Sequence, residues 1–121
     1  MAVEMSTSLG RIDVSEEVIS TIAGAAAMDC YGLVGMASRS QLKDGITDLL
    51  GWENLNKGIE VRTEDGELVI DLHIIVGYGT KISEVAHNVQ SKVKYTLNQM
   101  VGLTVNKVNV FVQGVRLVNE D

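Results

Sequence analysis

Ile82, Val85, Ala86, Val89, Val93, Leu97 and Met100 recur at three- and four-residue steps, the most regular pattern in the chain. On a helix this spacing gathers them into one stripe, which has to be buried against something. Thr80 stands where a side-chain cap would start that helix, and Gly102 where a left-handed residue would end it. The surface to bury it against comes just before. From Glu67 to Val76 the residues alternate, with Leu68, Ile70, Leu72 and Ile74 on one side of an extended strand and Val69, Asp71, His73 and Ile75 on the other. The even-numbered side is the expected core face, and the odd-numbered side is expected to look outward.

The strand has a partner close by. Gly58 to Arg62 is joined to it through Thr63, Glu64, Asp65 and Gly66, and the Asp-Gly dipeptide, whose two residues both tolerate positive φ, is a strong hairpin signal. Val105 to Val112 reads as a last strand, with β-branched Val108, Val110 and Val112 alternating. Nearer the start, Val18, Ile19, Ile22, Ala23 and Ala26 make a second helical stripe over residues 15–30, with Asp13 and Glu16 at capping-box spacing and Gly32 as its stop. Leu33 to Ala37 is a short strand candidate. One sheet with both helices on the same side is the economical way to bury these faces. The expected fold class is therefore α/β (α+β), a two-layer sandwich with a small, mixed or largely antiparallel sheet.

At 121 residues the chain suits one domain. Residues 1–9 read as a mobile lead-in, 10–116 as the domain, 38–57 as a variable loop within it, and 117–121 as a short polar tail. Cys30 is the lone cysteine, so no disulfide framework is available. The opening lacks the basic and apolar regions of a signal peptide, and no stretch reaches the roughly 18 unbroken apolar residues of a membrane span. A net charge of −6 works against broad phosphate-backbone binding. The expected location is the cytoplasm.

Few residues invite chemistry. Cys30, His73, His87 and Asp29 are the residues from which a nucleophile, base and orienter would have to be built, and no local motif joins them. Cys30 reads as a core or helix-end thiol and His87 as solvated. Asp71 and His73 point the same way two residues apart, but two ligands without a third fall short of a transition-metal site. Gly79, Thr80 and Lys81 form a weak anion-site candidate at a helix start, without the spacing of a phosphate loop. The outward face with Asp71, His73, Lys107 and Asn109, together with Trp52 in the variable loop, supplies the interaction candidates.

Beyond these separate signals, the stretch GRIDVSEEVISTIAGAAAMDCYGLVGM, then GIEV, then LVIDLHIIVGYGTKISEVAHNVQSKVKYTLNQMVGLTVNKVNVFVQGV, resembles the alkaline-shock, or envelope stress response, family of Gram-positive bacteria. The match runs through Tyr78-Gly79, Ile82, Val89-Gln90, Val93, Met100, Gly102-Leu103, Val105, Val108-Asn109-Val110 and Gly114-Val115. It covers nearly the whole chain apart from the ends and residues 38–57. Asp29-Cys30 departs from the usual acidic-valine pair. The resemblance implies a small α/β fold without established catalytic residues or cofactor, linked to envelope or alkaline stress, in which some members are held at the membrane by a partner protein.

Together these readings point to a non-enzymatic protein-interaction or scaffold component. Its expected partner is a protein, with a membrane-embedded anchor and self-association both open, and with no direct membrane insertion. A small nucleic-acid-binding module and a small-anion or metabolite binder are the alternatives. No cofactor and no metal is expected.

Overall fold

The computed structural model describes residues 2–38 and 56–117, so Trp52 and most of the variable loop lie outside the described residues. Strands β1 (Ala2–Thr7) and β2 (Gly10–Ser15) form an antiparallel hairpin with Val3 opposite Val14 and Met5 opposite Ile12. This corrects the expected lead-in. The alternation of Val3 and Met5 is too short to read alone and becomes a pattern only beside its partner, where all four apolar side chains share one face. Val3, Met5 and Val14 pack against the core, while Ile12 stays half exposed.

Helix α1 (Glu16–Met28) is capped by Ser15, whose hydroxyl accepts from the Val18 N–H at 3.3 Å. The expected capping box at Asp13 is corrected by the hairpin, which keeps residue 13 in β2, where its carboxylate meets Arg11 at 3.3 Å. The helix buries Ile19, Ala23, Ala26 and Ala27, and leaves Ile22 half buried at the margin of the stripe. It ends ahead of Gly32, which instead makes the turn into β3 (Leu33–Met36). That position needs glycine on two counts: φ is +88°, and a Cβ would sit 2.6 Å from the Val85 side chain.

Strands β4 (Ile59–Glu64) and β5 (Glu67–Gly77) form the expected hairpin, with Asp65 and Gly66 both at positive φ. Strand β6 (Lys107–Arg116) runs parallel to β5 along residues 69–77. It therefore occupies one edge of β5, and β3, beside residues 74–76, and β4, beside residues 67–72, share the other. The parallel register passes from Ile74 opposite Val112 to Ile75 opposite Gly114, so Gln113 is an extra residue.

Between β5 and β6 lies α2 (Ile82–Val101), which buries Val85, Val89, Val93 and Leu97 and ends on Gly102 at φ 80°. Ile82 and Met100, the ends of the stripe, remain exposed. The expected Thr80 cap is also corrected. Lys81 occupies the N-cap position with no side-chain bond, and the Thr80 hydroxyl donates to the Gly77 carbonyl at 2.7 Å, closing the strand-to-helix turn. Both helices contribute to one core with Leu68, Ile70, Leu72 and Ile74, completing the two-layer sandwich. One expectation about the other face fails. Val69, Asp71 and Ile75 are buried: Val69 lies between the long side chains of Arg62 and Lys107 and Asp71 between Glu60 and Asn109, whereas Ile75 stands between Gly35 and Gly114 and does not owe its burial to its strand neighbours.

Candidate functional site

The odd-numbered face of β5 brings together residues from three strands. Glu60, Asp71 and Asn109 stand in one cross-strand row. Two carboxylates directly opposite one another repel, and the conflict is relieved by Arg62, two residues along β4. Its Nε donates to Asp71 Oδ2 at 3.0 Å and its Nη2 to Oδ1 at 3.4 Å, while Asn109 Nδ2 donates to Oδ1 at 2.8 Å. Arg62 also pairs with Glu64. Burial opposes the charge on Asp71, but the hydrogen bonds from Arg62 and Asn109, with the guanidinium charge, outweigh it and hold the carboxyl below its usual range. The same hydrogen bond raises the Arg62 pKa.

The next row joins His73 to Phe111. They are register partners, and their rings stack with centroids 5.1 Å apart and planes 18° from parallel. Gln113 Nε2 lies 3.4 Å from His73 Nδ1, so the side chain of the extra residue comes back to this face. Phe111 is 43% exposed, which leaves an aromatic edge at the surface beside a half-buried row centred on buried Asp71.

Of the interaction candidates, Asp71, His73 and Asn109 are thus gathered into one array, and Lys107 occupies the same face, opposite Val69, outside the Asp71 network. Asp71 is not paired with His73 in a ligand set, since both its oxygens accept from Arg62 and Asn109. Phe111 and Arg62 were not singled out by the sequence reading of this face. For Arg62 the signal was available, because a two-residue turn at Asp65-Gly66 dictates that residue 62 opposes 69 and residue 60 opposes 71.

The remaining candidates stay apart. Around Gly79, the Thr80 hydroxyl is engaged with Gly77, and Lys81 Nζ lies 4.0 Å from Glu84. Cys30 Sγ lies 3.7 Å from the Ala26 carbonyl, and burial pushes its thiol pKa up, with Asp29 adding to this and Lys92 opposing it. Asp29 pairs with Lys92 at 3.3 Å across the two helices, at one end of an open groove of about 540 Å³ lined by Ile22, Ala25, Thr96 and Met100. His87 is exposed. Among the described residues no three His, Cys, Asp or Glu side chains converge on a metal position. No helix among them is long and apolar enough to cross a membrane.

The fold and this face define a small two-layer α/β domain whose polar groups are tied to one another across a sheet. The chain belongs to the alkaline-shock protein 23 family, described as having a cell envelope-related function, which matches residues 4–117. It is 60% identical over 119 residues to YloU, an uncharacterized protein of Bacillus subtilis (strain 168), covering 98% of this chain and 99% of that one. It is 27% identical over 109 residues to a stress response regulator gls24 homolog of Streptococcus pyogenes serotype M3 (strain MGAS315), covering 88% of this chain and 59% of that one. Among solved structures, a MamM C-terminal domain aligns with 87% of this chain and all of its own length at a TM-score of 0.48 and 12% identity, a likeness that carries no functional inference.

Proposed function

We propose that this chain is a non-enzymatic protein-binding component of the cell-envelope stress response, gathered near the membrane by a protein partner, and that it meets that partner with the outer sheet face around His73 and Phe111. The observation that carries the reading is the stacked His73–Phe111 pair, held by the parallel ladder and by Gln113, with Phe111 still 43% exposed. An aromatic fixed in place before binding loses little freedom on docking, which is the character of an interface anchor. The Arg62–Asp71–Asn109 row beneath it would fix orientation rather than supply bulk affinity.

A partner is favoured over lipid by the charge balance. The chain carries −6 overall, and outside its buried stripe α2 has two lysines, Lys92, which pairs with Asp29, and Lys94, among Glu84, His87, Gln90 and Asn98, not the extended basic face that an anionic bilayer attracts. The test is crosslinking in living cells from a photoreactive residue at Lys107, with the captured species identified, alongside liposome flotation of the pure chain. The expected result is one defined protein, lost in Phe111→Ser, and no flotation. Flotation of the pure chain, or RNA as the sole captured species, would overturn the reading.

A further inference from the structure

We propose that the outer edge of β6 is the interface through which two copies of this chain pair, antiparallel about Val110, to form one continuous sheet. The inference concerns the main-chain edge of β6 rather than the partner face above, with Phe111 standing where the two adjoin, and it does not depend on that reading.

Strand β6 is ten residues long, and among the described residues its hydrogen-bonded neighbour is β5 alone. The Tyr78 N–H donates to the Arg116 carbonyl at 2.8 Å, which turns the main chain of Arg116 toward β5. Alternate residues of a strand turn their main-chain groups to opposite edges, and the extra residue at Gln113 shifts that alternation by one. Lys107, Asn109 and Phe111 then face β5, while Val108, Val110 and Val112 turn their N–H and C=O outward. The Gln90 side chain supports this assignment independently, since its Nε2 comes down from α2 to donate to the Val108 carbonyl at 2.9 Å.

Proteins blunt exposed edges with short strands, charges, prolines or bulges. The opposite margin of this sheet is blunted. It consists of four-residue β3 and six-residue β4, and the latter carries Glu60, Arg62 and Glu64. From Val108 to Val115, β6 carries no charged residue and no proline. Its bulge at Gln113 limits the open segment at one end but leaves Val108 to Val112 in unbroken register with β5.

A second copy fits that segment because the sequence is complementary to its own reverse. A two-fold axis perpendicular to the sheet at Val110 places Val110 opposite itself, Val108 opposite Val112, Asn109 opposite Phe111 and Lys107 opposite Gln113. Like charges do not meet. The half-buried Val110 and Val112 each gain an apolar neighbour on the helix side, and exposed Phe111 comes within diagonal reach of its counterpart on the other side. Pairing across this segment forms about six main-chain hydrogen bonds, and the Val108 carbonyl has a second lone pair for one of them.

Sedimentation equilibrium of the purified chain tests the proposal, the expected mass being twice 13.1 kDa. Val110→Pro removes an outward N–H at the centre while respecting the ladder to β5, and is expected to sediment as a monomer that still melts cooperatively. Cys30→Ser/Val110→Cys is expected to form a disulfide-linked dimer on mild oxidation, because self-opposed residues of an antiparallel pair have Cα atoms about 5.5 Å apart. Cys30→Ser/Thr63→Cys, on the blunted margin, is not expected to. A parent chain that stays monomeric up to about 1 mM, or a dimer that persists in folded Val110→Pro, overturns the proposal. If Val110→Pro does not fold, the cysteine variant decides, and a dimeric parent without a crosslink at residue 110 overturns it.

Discussion

The two faces of β5 are both largely closed to solvent, yet with different chemistry. Toward the helices stand Leu68, Ile70, Leu72 and Ile74, meeting α1 and α2 with hydrocarbon alone. On the other side Val69 and Ile75 are as deeply buried, but between them lie Asp71, tied to Arg62 and Asn109, and His73, stacked on Phe111. The first face can be built from almost any well-packed apolar set, since dispersion and burial are non-directional. The second depends on which residue stands opposite which. A face that only had to be stable would not need a carboxylate in its middle, because replacing a buried ion pair by packed hydrocarbon is often neutral or stabilising. Burial holds the fold in both places, and only the outer face also carries polar and aromatic groups paired in a fixed arrangement.

The largest effect expected from breaking this contrast is on the helix side. Val89→Asp places an unpaired carboxylate at a fully buried position of α2, and is expected to abolish cooperative melting followed by circular dichroism. Ile22→Asp in α1 separates stripe from margin. Ile22 is half buried and lines the open groove, so this variant is expected to keep a cooperative transition at reduced stability. Equal loss in both would mean that the α1–α2 groove is closed.

Leu72→Ala comes next, with an expected loss of about 2–5 kcal/mol in urea unfolding, the range for a large side chain removed from a packed core. On the opposite face Asp71→Asn is expected to cost less, about 1–3 kcal/mol, because hydrogen bonding to Arg62 and Asn109 is weakened rather than a cavity opened. Its signature is pH dependence. The folded-state pKa of Asp71 is depressed, so its contribution is present above the unfolded value of about 3.9 and is lost as pH falls through the lower folded value. The gap between parent and Asp71→Asn should therefore be constant from pH 7 to 5 and close below pH 4. A gap that stays open at low pH would remove the ionic row from the account of this face.

These faces also differ in how far they can be read from sequence. The helix face was legible, because alternation over Leu68 to Ile74 and the stripe over Val85 to Leu97 are patterns within single segments. The same local patterns carried the Asp65-Gly66 turn and the Gly102 stop. What was illegible depends on pairs of segments. Strand β1 is recognisable only beside β2, and the burial of Val69 follows only once β5 is known to be central, between Arg62 and Lys107. Two side-chain caps were misplaced because Asp13 and Thr80 have suitable chemistry, while the strand or turn that each belongs to already uses them. Phe111 joins His73 through a parallel register 38 residues apart, which no local spacing encodes.

The smallest effect is expected where the contrast predicts none, at the lone thiol. Cys30 belongs to neither face of β5. It follows the end of α1, packs partly against the core, and directs its sulfur to the Ala26 carbonyl at 3.7 Å, a contact with a weak donor. Cys30→Ala is expected to cost no more than about 1 kcal/mol, because a half-buried site leaves little cavity behind. Partner capture through the outer face should be unchanged. The thiol itself gives a second reading, since burial raises its pKa and only the thiolate reacts with an electrophile. Alkylation of the native chain by iodoacetamide should be slower at pH 7 than for a thiol in a short peptide, should quicken as pH rises past the ordinary thiol range, and should reach the peptide rate in urea. Rapid alkylation at pH 7 in the folded chain would show that the end of α1 opens, and that burial there is looser than on either face of β5.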